Sequence, residues 1–195
     1  MKQLIAGVIF WTATFITPLN VFSQKNYISL GPELALPGSS KKYLQGKDKG
    51  TGFGGSLRLE SNWSKHVSGT ATIGYLTFAT AYPYSLSPTY SNQFKVLPVQ
   101  FGIKYYSQEK KETIPNGFFM SGELGMIFTT NHIHYTNDTE QDFKESGPSL
   151  ALGPGYQYKN IEAGLRLQFN LVSSGFNVYY YDFRVAYCLK KNSKN

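Results

Sequence analysis

Residues 161–171 read IEAGLRLQFNL. Every second residue from Ile161 to Leu171 is apolar, and the positions between run Glu162, Gly164, Arg166, Gln168 and Asn170. A period of two is the mark of an extended strand with unlike faces. The same alternation recurs through the rest of the chain after its N-terminus, and no window carries the i, i+3, i+4, i+7 spacing of an amphipathic helix. The fold class is therefore all-β. The pattern predicts eight strands, at 27–36, 51–61, 67–78, 94–106, 118–128, 149–158, 161–172 and 178–189. At about ten to thirteen residues each they exceed the five or six usual in soluble sheets and match a tilted strand crossing a bilayer.

The connections are ordered by length. PGSSKKYLQGKDKG, ATAYPYSLSPTYSNQ and TTNHIHYTNDTEQDFKESGP follow strands one, three and five, whereas NWSKH and KN follow strands two and six. SQEKKETIPNG after strand four is intermediate, and SGFN after strand seven is short and breaks the trend. Alternating long and short connections collect the long ones at one end of an antiparallel up-and-down barrel, as in transmembrane barrels with long outer loops and short periplasmic turns. An even strand number then leaves both termini at the short-turn end.

Alternation alone does not say which face is inside, because a soluble barrel has the same two faces reversed. The composition of the polar face decides it. On residues 51–60, Phe53, Gly55, Leu57 and Leu59 are opposed by Gly52, Gly54, Ser56, Arg58 and Glu60; on 67–77, Ala71, Ile73 and Tyr75 are opposed by Ser68, Thr70, Thr72 and Gly74. Small residues suit the crowded interior of an eight-stranded barrel. All three arginines, Arg58, Arg166 and Arg184, fall on strands and on this face, with Glu33, Glu60, Glu123, Glu162 and Asp182, whereas only Lys95 and Lys104 of the sixteen lysines fall within strands. Arginine suits desolvated, bidentate pairing with carboxylates, and lysine prefers water. The polar face is read as an enclosed lumen holding an ion-pair network of Glu33, Arg58, Glu60, Glu123, Glu162, Arg166, Asp182 and Arg184. Leu97, Val99, Phe101, Ile103, Leu165, Leu167 and Phe169 then face lipid.

Aromatics gather at strand ends, at Tyr105 and Tyr106, Phe118 and Phe119, Tyr156 and Tyr158, and Tyr179 to Tyr181. Rings with a polar tip favour the membrane interface. The last strand, DFRVAYCL, sets Phe183, Val185, Tyr187 and Leu189 outward, but LKKNSKN follows where a closing strand usually ends the chain.

The N-terminal stretch MKQLIAGVIFWTATFITPLNVFSQ has a basic residue at Lys2, an apolar run from Leu4 to Phe15, a break at Pro18, and Val21 and Ser23 at the small-residue positions before Gln24. It reads as a cleaved secretory signal peptide over 1–23, which leaves 24–195 as one barrel domain. The net charge of +7 is spread over loops and termini, with a small cluster only at Lys190, Lys191 and Lys194. No basic helix or stripe points to nucleic acid, and an anionic lipid surface is the simpler partner. A single cysteine, Cys188, rules out an intrachain disulfide; its expected place is the lumen beside Arg184.

Signals for chemistry are weak. His132 and His134 in NHIHY share one side of an extended segment near Asp138, Glu140 and Asp142, but two histidines in a loop fall short of a preorganised metal site. Phe143 stands where a calcium loop of the EF-hand kind needs glycine. GFGG at 52–55 lacks the Lys-Ser/Thr of a phosphate loop. No metal and no cofactor are expected.

Taken together, the signal peptide, the eight alternating strands, the Gly-rich lumen face and the aromatic-basic closing strand resemble the small outer-membrane β-barrel proteins of the OmpA/OmpX-like type, in particular the PorT-like barrels of Bacteroidetes. The resemblance implies a monomer exported to the outer membrane, in contact with its lipid and lipopolysaccharide. It also implies a structural or surface-interaction role, through loops bearing Tyr82, Tyr84, Tyr90 and His132 to Tyr135, toward an extracellular ligand or a secretion-machinery partner. A narrow solute channel and a lipid A-modifying enzyme are the alternatives. Barrel enzymes of that kind use Ser, His and an acid near the rim, and no serine stands two residues beyond either loop histidine, so no enzymatic activity is expected.

Overall fold

The computed structural model describes residues 26–38, 50–80, 89–109, 114–135, 139–171 and 177–190. The signal peptide, Tyr82, Tyr84, Asp138, Lys191 and Lys194 lie outside them. Eight strands run in sequence order: β1 (Asn26–Pro37), β2 (Gly52–Asn62), β3 (Val67–Thr80), β4 (Thr89–Tyr106), β5 (Gly117–Tyr135), β6 (Glu140–Tyr158), β7 (Ile161–Leu171) and β8 (Asn177–Lys190). Each pairs antiparallel with its neighbours, and β1 pairs with β8 to close the barrel. Register partners followed from Ile28 through Leu59, Ala71, Phe101, Leu124, Leu150, Phe169 and Tyr179 lead back to β1 at Gly38, whose N–H donates to Tyr179 O at 2.8 Å. Closure thus carries a stagger of ten residues, from Ile28 to Gly38, which fixes the strand tilt.

The stretch Ile161–Leu171 forms β7 whole, and its burial alternates residue by residue. The inside is the polar side. Glu162, Arg166, Gln168 and Asn170 are buried, while Leu165 and Phe169 are exposed. Around the barrel the outer surface is made of large apolar side chains, with Leu124 and Phe118 each 65% exposed. So large an exposed apolar surface belongs in lipid. Even the eleven-residue β2 rises about 28 Å at ~3.3 Å per residue and a tilt near 40°, enough for the ~25 Å apolar band of such barrels. No described helix is long and apolar enough to cross a membrane; the crossing is made by strands.

Inward glycines let neighbouring strands crowd at the sheet's bends. A Cβ on Gly31, Gly54, Gly102, Gly125 or Gly153 would strike the adjacent strand's carbonyl, at Val185, Tyr75, Gly122, Val99 and Leu165 respectively. The ladder opens without a change of register beside Pro32 (β1–β8), Pro98 (β3–β4) and Pro154 (β6–β7), where a donor is missing.

Three strands are longer than the sequence pattern predicts. TTNHIHYTNDTEQDFKESGP, expected as a loop, is mostly paired strand: β5 continues to Tyr135 and β6 begins at Glu140. Likewise β4 starts at Thr89 rather than at residue 94. The apolar alternation stops where these strands leave the bilayer, because water on both faces no longer selects greasy residues, yet the ladder continues. Among the described residues, β6 from Glu140 to Pro148 pairs with β5, and pairing with β7 begins at Ser149. A three-stranded arm of β4, β5 and β6 therefore stands above the barrel's rim. At the other end the connections are residues 63–66, the intermediate 107–116, and 159–160, where Lys159 adopts a left-handed conformation (φ 50°) in the two-residue turn.

Candidate functional site

Strand parity carries eight charged residues into the lumen: Glu33 from β1, Arg58 and Glu60 from β2, Glu123 from β5, Glu162 and Arg166 from β7, and Asp182 and Arg184 from β8. All are buried. Glu162 Oε1 accepts from Arg58 Nη1 at 2.7 Å and from Arg184 Nη1 at 2.9 Å. Glu123 Oε2 accepts from Arg166 Nη1 at 3.0 Å, and its Oε1 lies 3.2 Å from Arg58 Nε and takes hydroxyl protons from Thr70 and Thr72. Arg166 Nη2 donates to Glu33 Oε1 at 2.7 Å and also holds Asp182 Oδ2. Arg184 donates to Ser56 Oγ and Ser29 Oγ, and Ser56 donates in turn to Glu33 Oε1 at 2.5 Å. The arginines use their fork as predicted from its shape, each reaching several acceptors on different strands.

A ninth member, Lys104, was not anticipated. Its Nζ is fully buried, 2.7 Å from Glu60 Oε2 and 2.8 Å from Glu162 Oε2, and 4.3 Å from the Phe119 ring centroid. Parity would have found it, since Lys104 shares its face with Gln100 and Tyr106, whereas Phe101, Ile103 and Tyr105 point out. The general preference of lysine for water gives way here to two carboxylates and a ring face. Lys95 points outward instead, and it belongs to another part of the molecule.

The lumen is layered along its axis. Toward the short turns, Tyr106 Oη donates to Glu60 Oε1 at 2.8 Å and lies 2.9 Å from Tyr27 Oη. Below it Ile114, from the turn between β4 and β5, packs with Tyr27 and Cys188. Cys188 is in the lumen as expected, on the same face of β8 as Arg184, and Gln157 Nε2 lies 3.2 Å from its Sγ. Above the ions, Gln100, Ser149, Gln168 and Asn170 exchange hydrogen bonds of 2.6–2.9 Å. Above these, Ala35, Leu76, Phe78, Phe94, Val96, Ile127, Val178 and Tyr180 form a buried apolar cluster. Between ion layer and wall, a crevice lined by Arg58, Phe119, Glu162, Arg166 and Arg184 has no room for a water molecule.

The aromatic pairs split by parity. Tyr105 and Phe118 are exposed, whereas Tyr106 and Phe119 are buried in the lumen; Tyr181 points out and Tyr180 in. The interface belt therefore holds one ring from each adjacent pair, with Tyr156 and Tyr158 both outward.

On the arm, His132 lies on β5 opposite Asp142 of β6, not in a loop. With its proton on Nδ1, His132 donates to Asp142 Oδ1 at 2.6 Å, and this bond holds the Asp142 carboxyl below its usual range. His132 Nε2 faces Glu140 Oε2 at 4.0 Å. Both ring nitrogens thus look at carboxylates. Among the described residues, no group of three or more His, Cys, Asp or Glu is arranged to hold a metal ion.

An apolar exterior around a closed, polar-filled, eight-stranded antiparallel sheet defines a small transmembrane β-barrel. Solved structures carry the same fold. Ail, the attachment invasion locus protein of Yersinia pestis, determined in complex with the heparin analogue sucrose octasulfate, matches with a TM-score of 0.61 at 12% identity, over 85% of this chain and 98% of that one. The N-terminal β-barrel domain of Pseudomonas aeruginosa OprF matches with 0.52 at 10% identity over 86% and 99%. Neisserial surface protein A matches with 0.51 at 11% identity over 85% and 97%. No family model matches this chain, and no curated protein does. At such identities the likeness is one of fold.

Proposed function

We propose that this chain is an exported, monomeric outer-membrane protein of the PorT-like kind, whose lumen is sealed and whose activity lies in surface interaction at its long-loop end. The observation that carries this reading is the filled interior. Ion pairs join strands that never touch in the sheet, β2 to β7, β4 to β7 and β1 to β7, and apolar clusters lie above and below them. A conducting path needs a continuous wet lumen, and the buried ion pairs and apolar clusters support a closed one. Among the described residues, the β4–β6 arm reaches farthest from the bilayer, and it supports contact with an extracellular ligand or an assembly partner. The partner in the Ail complex is a sulfated sugar, which makes anionic glycans a sensible first probe of that end.

Planar-bilayer recording of the purified barrel tests the sealed lumen: silence is expected, and steady unitary openings would sink it. Fractionation of cells tests the location, with heat-modifiable migration of the outer-membrane material expected. A lipid A-modifying activity is not proposed, because no serine stands two residues beyond His132 or His134. Mass spectrometry of lipid A from cells with and without the gene should give identical acyl patterns.

A further inference from the structure

Among the described residues, the outer face at the long-loop end is charged on one side only. Cross-strand register sets Thr77, Lys95, Thr130 and Lys144 in one row over β3, β4, β5 and β6. The row lies one outward position beyond Leu97 and Phe128, which are opposite one another on β4 and β5. Lys95 is half-buried and Lys144 exposed. With neighbouring strands about 4.8 Å apart, the two lysine backbones stand roughly 10 Å from each other, with Thr130 between. Elsewhere the described outward residues at this end are apolar or aromatic, as at Leu36, Phe53, Leu171 and Tyr181. The other described basic side chains lie in the lumen or, as with Lys65 and Lys159, at the short turns.

One carboxylate is close by. Asp142, the next outward residue of β6, feels both lysines, but its Oδ1 is taken by His132. Among the described outward side chains of this row and the next, which holds Gln93, His132 and Asp142, two ammonium groups stand against one carboxylate, and that one is engaged. Lysine presents a compact charge on a flexible stem, a form that suits phosphate, and its stem can lie on apolar surface while the head sits at headgroup depth.

We propose that Lys95 and Lys144, with the Thr130 hydroxyl between them, bind the phosphomonoester headgroup of a membrane lipid and so give the barrel a lipid-facing side on β4–β6. This deepens the membrane reading above and rests on it. Lipid phosphate rather than free phosphate is the ligand, because the row borders the apolar belt and the acyl chains of the same molecule would cover Leu97 and Phe128.

The test uses the full mature chain refolded into phosphatidylcholine nanodiscs doped with phosphatidic acid, with retained lipid counted by native mass spectrometry. The wild type should keep phosphatidic acid over phosphatidylcholine by about thirtyfold, in line with two lysines at an anionic surface. The double variant K95Q/K144Q should fall to parity, K95R/K144R should keep the preference, and K159Q at the opposite end should not change it. An undiminished preference in K95Q/K144Q overturns the proposal, and so does displacement of the lipid by millimolar inorganic phosphate. Heat-modifiable migration separates the two levels. A heat-modifiable barrel without the preference defeats this site alone; a chain with no heat-modifiable form defeats the membrane reading as well.

Discussion

Lys104 and Arg166 are single side chains on which several strands converge, and each shows what a buried charge requires. Replacing Lys104 by Met leaves Glu60 and Glu162 without their shared cation, and removing one partner of a buried pair costs about 3–5 kcal/mol. The expected outcome for Lys104→Met is a loss of that order in urea-unfolding midpoints measured in micelles. Arg166→Leu uncouples Glu33, Glu123 and Asp182 at once, and the heat-resistant band should weaken while the lipid-facing surface is unchanged. A barrel of unaltered stability in that variant would count against the inward assignment of Arg166. The eight charged residues named from the sequence were legible because arginine and glutamate on a strand's polar face have few other places to go. Lys104 was missed because residue type was weighed above parity.

At the scale of the strand, small differences in backbone spacing decide which glycines are replaceable. Gly153 on β6 and Gly164 on β7 both point inward, yet a Cβ on Gly153 would run into the Leu165 carbonyl, while one on Gly164 would meet nothing nearer than 3.8 Å. Gly164→Ala should therefore refold in normal yield and Gly153→Ala should not, as read by the heat-modifiable fraction. The same contrast explains why Gly-rich strands could be placed in a barrel from sequence but their roles could not be ranked. The arm was misread for a related reason. Alternation reports a boundary between lipid and lumen, so β5 and β6 go unrecognised once both faces meet water. The arm also carries a pH dependence. Asp142 has a lowered carboxyl pKa, so its bond to His132 supports the arm above the ordinary carboxylate range and is lost as pH falls through the lowered value. Protection factors of the amides in residues 140–145, corrected for the intrinsic pH dependence of exchange, should fall on acidification, and Asp142→Asn should flatten that response.

For the molecule as a whole, the inside-out distribution of polarity follows from two solvents acting on one sheet. Hydrocarbon selects the outer face, and the narrow interior selects small residues and paired charges. Fold class, strand number and strand order were all readable from that distribution. The stagger was not, because register depends on which carbonyl meets which amide, and several offsets satisfy the same alternation. The apolar clusters at the two ends of the lumen were also hidden, since Phe78, Phe94, Val178 and Ile114 look like any other greasy residues until parity and the path of a turn place them inside. Opening one end tests their weight. The pair of substitutions Phe78→Ala and Tyr180→Ala removes two rings of the upper cluster, packed 5.6 Å apart, yet the ion layer beneath should keep bilayer recordings silent.

Asp182 and Arg184 ride on the last strand to be made; Asp182 is held by Arg166 of β7, and the Arg184 partners Glu33 and Ser29 ride on the first strand. The ladder can grow hairpin by hairpin, but this circuit of charges completes only when the two ends of the chain meet. Until then Glu33 lacks both Arg166 and Arg184, which reach it from β7 and β8 only across the closing seam. Chain closure is thus the moment at which Glu33 gains its two arginines, so an unclosed sheet is penalised from within as well as along its open edges, and shortening β8 should trap the protein before insertion rather than yield a seven-stranded product.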